Sequence, residues 1–141
     1  MQTPDVNSAK KIMNEANYLV NACNIVVDKI VLSSGSKTAV LPNIYGKQKP
    51  YLQKLALIYL VNKWQVQNKN IDKEIQDNMV AIENGLTALV NSPENTDVIN
   101  AILKVQQSEW AFVKKSFENK KGTAMLGSIF SSINMMIKDF D

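Results

Sequence analysis

The chain has no histidine and no arginine; all 16 of its positive charges are lysine. Histidine is the commonest general base and the centre of nucleophilic triads, so those devices are excluded. His-ligated zinc and haem go with it, as do helical di-iron sites that need a Glu-x-x-His pair. A single cysteine, Cys23, excludes an internal disulfide and thiolate metal clusters. The expectation is a non-enzymatic protein with no cofactor and no metal.

Glycine and proline are scarce, at five and four in 141 residues. An all-β chain of this length needs many tight turns, so the scarcity favours long helices. Long apolar runs are missing too. The densest, Leu55 to Val61, has seven residues, well short of the roughly 18 that cross a bilayer. A membrane-spanning segment is therefore not expected. The net charge of +3 comes from scattered lysines. Nucleic-acid binding wants clustered positive charge and usually arginine on base edges, so no nucleic-acid partner is expected.

What remains is ordinary globular composition, 45% hydrophobic and 21% charged, in a chain long enough for one core. Hydrophobic spacing gives five helices. From about Asp5 to Val31, Ile12, Ala16, Leu19, Cys23, Val26 and Ile30 alternate by four and three and form one stripe. Met13, Val20, Val27 and Val31 widen it, as a helix buried in a bundle requires. Ser33-Ser34-Gly35-Ser36 stops this helix. A second helix runs from about Pro50 to Gln67 through Leu52, Leu55, Tyr59 and Trp64, and its start lies as early as Asn43 if Pro50 is internal. A kink or break is expected between Gly46 and Pro50.

The third helix follows Asn70, a candidate N-cap, and repeats Ile71, Ile75, Met79, Ile82, Leu86 and Leu89. Lys73, Gln76, Asp77 and Glu83 form its polar face. Thr96 and Asp97 open the fourth, with Val98, Ile102, Val105, Glu109, Phe112 and Ser116 in one row and Ile99, Gln106, Val113 and Phe117 in the next. The break at Asn119 to Thr123 contains Gly122. A last segment to Asp141 aligns Leu126, Ile129, Ile133, Met136 and Phe140. Short connections make neighbours antiparallel. The fold class expected is an all-α, antiparallel up-down bundle: a four-helix core plus one additional N-terminal helix, in a single domain spanning residues 1–141.

The segment Asn43-Ile44-Tyr45-Gly46-Lys47-Gln48-Lys49-Pro50-Tyr51-Leu52-Gln53-Lys54-Leu55-Ala56 resembles the signature of the PilJ-type domain. That domain is the extracytoplasmic N-terminal part of type IV pili methyl-accepting chemotaxis transducers, related to nitrate/nitrite sensor modules. Gly46, Gln48, Gln53 and Ala56 match the signature, and Lys47, Lys49 and Lys54 stand at its basic positions. Asn95-Thr96-Asp97-Val98 and Trp110 continue the likeness, which covers roughly residues 40 to 118. Residues 42–141 would form one repeat behind an N-terminal helix at residues 5–33; segments 8–31 and 123–141 both resemble the family's last helix, which precedes and closes each copy.

The resemblance implies a sensor-type ligand-binding domain in signal transduction, outside the cytoplasm and able to dimerise through its helices, although Met1 is followed by polar residues and no leader is visible. It also implies a piece of a larger transducer or a domain standing alone. Basic residues of this segment hold a small anion in nitrate sensors, which assigns the site to Asn43, Lys47, Gln48, Lys49 and Lys54. Here Pro50 replaces the family's Met, and lysine replaces its arginines. An ammonium is a point charge, without the guanidinium's paired hydrogen bonds to a planar oxyanion. Amides of a helix beginning near Pro50 would add to the site.

Each of these features has a plainer alternative. The lysines equally suit a solvated helix entry. Cys23, on the apolar stripe, is expected to be a buried inert thiol, and Met125, Met135 and Met136 to fill the core. Glu109, in an apolar row beside Trp110, is expected in a buried polar contact. Asn17, Asn21, Asn24, Asn62, Asn78 and Asn100 fall within helices, where they line a polar pocket or set register. A structural or adapter bundle that binds another protein is the alternative function.

Overall fold

A computed structural model describes residues 5–35, 40–63, 70–118 and 126–140. These form five helices and no strand: α1 (Val6–Ser34), α2 (Val40–Lys63), α3 (Ile71–Val90), α4 (Asp97–Glu118) and α5 (Leu126–Asp139). Local signals account for most of the helix ends. The Asp5 carboxylate caps α1 by accepting from the amides of Asn7 and Ser8, and Gly35 ends it at φ 61°. That left-handed conformation suits glycine, which has no Cβ to clash. Thr96 Oγ1 accepts from the Ile99 amide at 3.3 Å and opens α4. Asn70 holds the N-cap position of α3, but its side chain makes no capping hydrogen bond.

Helices α2 to α5 close a ring around the main core, with α2 against α3 and α5, and α4 against α3 and α5. Side-chain contacts show that the neighbours run antiparallel. Asn78 of α3 meets Tyr51 of α2, and Lys114 of α4 meets Glu83 of α3. Gln106 of α4 meets Asp139 at the end of α5. The rings of Tyr45 and Phe140 pack edge to face at one end, and Tyr59 packs on Phe130 further along. This is the expected up-down bundle, with Ile82, Val113, Ile129, Ile133 and Met136 fully buried at its centre.

The expected faces of α3 and α5 are the buried ones: Met79, Ile82, Leu86 and Leu89, then Ile129, Ile133, Met136 and Phe140. Trp64, Gly122 and Met125 lie outside the described residues.

Three expectations change. First, α2 is not broken between Gly46 and Pro50. It is helical from Val40 to Lys63, with Pro50 inside, as the earlier of its two expected starts requires. Burial of Leu52, Leu55 and Tyr59, with Leu41 and Ile44 packed on the core, holds the helix through the proline. Second, α4 buries Leu103, Gln106, Trp110 and Val113. Its row of Val98, Ile102, Val105 and Phe112 faces outward instead.

The third change is the largest. The stripe of α1 expected inside is exposed: Ile12 is 58% accessible, Leu19 64%, Val26 55% and Ile30 60%, and Cys23 is exposed with them. Toward the bundle α1 turns Ala9, Met13, Asn17, Val20, Asn24 and Asp28, all buried or half-buried. Its apolar anchor is small, Ala9 and Met13 against Val61, with Leu57 and Ile71 alongside. No α1 residue belongs to the main core. Apart from Val20 the rest of the attachment is polar, which is why hydrophobicity alone chose the wrong side.

Candidate functional site

The residues singled out by the signature lie on one uninterrupted helix. Successive α-helical side chains point about 100° apart, so Lys47, Gln48 and Lys49 cannot converge on one ligand. Lys47 faces α1, where its Nζ donates to Asp28 Oδ1 at 2.5 Å. Asn43, one turn earlier, donates its Nδ2 to the same oxygen at 3.1 Å. Lys49 and Lys54 are half-buried elsewhere on α2. The helix begins at Val40, so no helix N-terminus lies near Pro50.

Asp28 thus holds two of the five residues together, and the sequence reading did not single it out. The Lys47 ammonium, and then the Asn43 amide, keep its carboxyl below the usual carboxylate range. An anion approaching Lys47 would have to compete with a carboxylate already in place. Further along, Asn24 Nδ2 donates to the Tyr51 hydroxyl at 3.2 Å, and Asn17 Nδ2 donates to Glu74 Oε2 at 3.1 Å. The helix-interior asparagines therefore divide. Asn17, Asn24 and Asn78 make polar contacts between helices, whereas Asn21, Asn62 and Asn100 are exposed.

Gln48 points the other way, into the bundle, and is 1% accessible. Its Nε2 donates to the Ile44 carbonyl at 3.4 Å. Opposite stands Gly85 of α3, where a Cβ would come within 1.7 Å of that nitrogen. Glycine in the middle of an amphipathic helix is a packing signal; here it makes room for the carboxamide. Gln106, also buried, donates to Asp139 Oδ2 at 2.6 Å, while the Tyr45 hydroxyl donates to the Asp139 carbonyl at 2.9 Å. Gln48 Oε1, Gln106 Oε1 and Trp110 Nε1 are buried without a hydrogen-bond partner among the described residues. Glu109 is half-buried. Met136 fills the core as expected; Met135 is exposed.

Among the described residues no group of three or more Cys, Asp or Glu is placed to hold a metal ion. No described helix is long and apolar enough to cross a membrane. Comparison with protein-family models, curated proteins and solved structures finds no match for this chain.

Proposed function

We propose that the chain is a non-catalytic helical bundle that works by binding protein, with α1 as its docking helix. One observation carries this reading: α1 attaches to the bundle through a largely polar face and leaves its continuous apolar stripe outside. A stripe of this kind costs solubility and exposes surface that water disfavours. Buried on another helix, the same side chains would each contribute about 1.5–3 kcal/mol.

Cys23 lies on the stripe and reports whether it is covered. Its labelling by a water-soluble maleimide is to be timed in cells that produce the protein and in the dilute purified chain. Slower labelling in cells supports a covered stripe. Equal rates in both would sink the proposal.

A second reading is favoured by the bundle interior, where two carboxamide oxygens and an indole N–H are buried without a hydrogen-bond partner among the described residues. Buried polar groups normally have partners. This supports a sensor-type domain, similar to the PilJ-type one, that takes a small polar ligand between its helices. An anionic version of it would meet the signature lysines only singly, since they face different ways along α2. Thermal shifts against small anions and neutral polar solutes test both versions. Loss of the shift in Gln48→Leu would point to the interior, and loss in Lys47→Ala with Lys49→Ala to the surface. Absence of any shift would reject the reading.

A further inference from the structure

The outward stripe of α1 obeys a stricter rule than amphipathicity. Ala16, Cys23 and Ile30 recur every seven residues, and so do Ile12, Leu19 and Val26. Together they make the alternating three- and four-residue seam of a coiled coil. In α1 that seam does not face α2. It lies beside the face that does, and its Ile12, Leu19, Val26 and Ile30 are more than half exposed. The helix therefore offers one side to its own bundle and the seam from Ile12 to Ile30 to another helix.

We infer that the seam is occupied by α1 of a second copy of this chain, running antiparallel. The register is dictated by the side chains. With the twofold axis level with Asn21, Ile12 faces the partner's Ile30, Ala16 faces the partner's Val26, and Leu19 faces the partner's Cys23. Each layer occurs twice by symmetry, small residues meeting large ones in two of the three. The two exposed charges flanking the seam on the side away from α2 are Glu15 and Lys29. In an antiparallel pair like flanks meet, so Glu15 comes beside the partner's Lys29 at both ends. A parallel pair would instead place each of these charges beside the partner's Met13, Val20 and Val27 flank, leaving it without an opposite charge. Charge complementarity thus selects both the occupant and its direction.

This inference rests on the docking role proposed for α1, but it can fail alone. A chain that stays monomeric while Cys23 is protected in cells would have a different protein on the stripe.

Sedimentation equilibrium on the full chain, from micromolar to submillimolar concentration, should show a reversible dimer. Leu19→Glu should weaken it by at least about tenfold, with unchanged helical circular dichroism because Leu19 touches no core. Glu15→Lys should weaken it, and Glu15→Lys with Lys29→Glu should restore it. Under mild oxidation, Leu19→Cys should form a covalent dimer whose mapped disulfide joins residues 19 and 23. The wild type, whose two Cys23 side chains lie about one helical turn apart along the axis, should cross-link far more slowly. A monomer at the highest concentration overturns the inference. Association that survives Leu19→Glu also overturns it, by moving the contact to another surface such as the outer row of α4. Rapid Cys23-to-Cys23 linkage in the wild type overturns it as well, since the proposed register holds those two residues apart.

Discussion

The Gln48 carboxamide occupies the space that a side chain on Gly85 would need, with Nε2 1.7 Å and Cδ 2.7 Å from where a Cβ would stand. Adding that carbon has two opposed effects. Helix propensity favours alanine by about 1 kcal/mol, and forcing bulk into a packed interior costs about 1–3 kcal/mol. Gly85→Ala is therefore expected to lower stability by up to about 2 kcal/mol. In a Gln48→Ala background the clash is gone, and the same change should stabilise by up to about 1 kcal/mol. Urea melts of the four proteins check the reversal of sign; equal effects in both backgrounds would refute the relationship.

The Asp28–Lys47 pair predicts how α1 responds to acid. A carboxylate whose folded-state pKa is lowered contributes to attachment above its unfolded value, about 3.9. That contribution is lost as pH falls through the lower folded value. Amide exchange of α1, corrected for intrinsic rates, should stay flat from neutral pH to about 4.5 and rise below about 4. Asp28→Asn should exchange faster at neutral pH and show a smaller acid step, the remainder coming from the Asp5 cap, whose carboxyl is lowered by the Ser8 hydroxyl and the Asn7 and Ser8 amides. A mutant profile identical to wild type would show that the pair does not hold α1.

Core and stripe should respond oppositely to truncation. Ile133 is fully buried in the main cluster, so Ile133→Ala should cost about 2–5 kcal/mol. Leu19→Ala in the dilute chain should stay within about 0.5 kcal/mol of wild type. Similar losses at both positions would mean that α1 turns its other side inward.

Pro50 offers a gain. A proline inside a helix removes one hydrogen bond, the one to the carbonyl four residues back, here Gly46, and crowds that carbonyl. Pro50→Ala should stabilise α2 by about 1–3 kcal/mol, seen as a higher melting temperature. A lower one would show that the bundle depends on the distortion.

Much of the fold was legible along the chain because local chemistry agreed with packing. Thr96, Asp5 and Gly35 mark helix ends by mechanisms that act within a few residues, and α3 and α5 each carry one dominant apolar face. Helix α1 was misread for a physical reason. It has two stripes of helical period, and the more hydrophobic one, from Ile12 to Ile30, is on the outside. The inward stripe depends on Tyr51, Glu74 and Lys47, partners far away in sequence. At α2, Gly46 and Pro50 argued locally for a break, and burial of the residues around them overrode it. That continuity also separated the signature's side chains, leaving Asn43 and Lys47 on Asp28 and sending Gln48 inward beside a glycine that the periodic pattern did not single out.

The small cluster of Ala9, Met13 and Val61 stands apart from the main core, which makes α1 an outrigger with its own mooring. The main core of the four-helix ring takes no side chain from α1 among the described residues. Sequence change could loosen or tighten the arm without renegotiating the hull, so the sociability of this protein and its durability can evolve as separate traits.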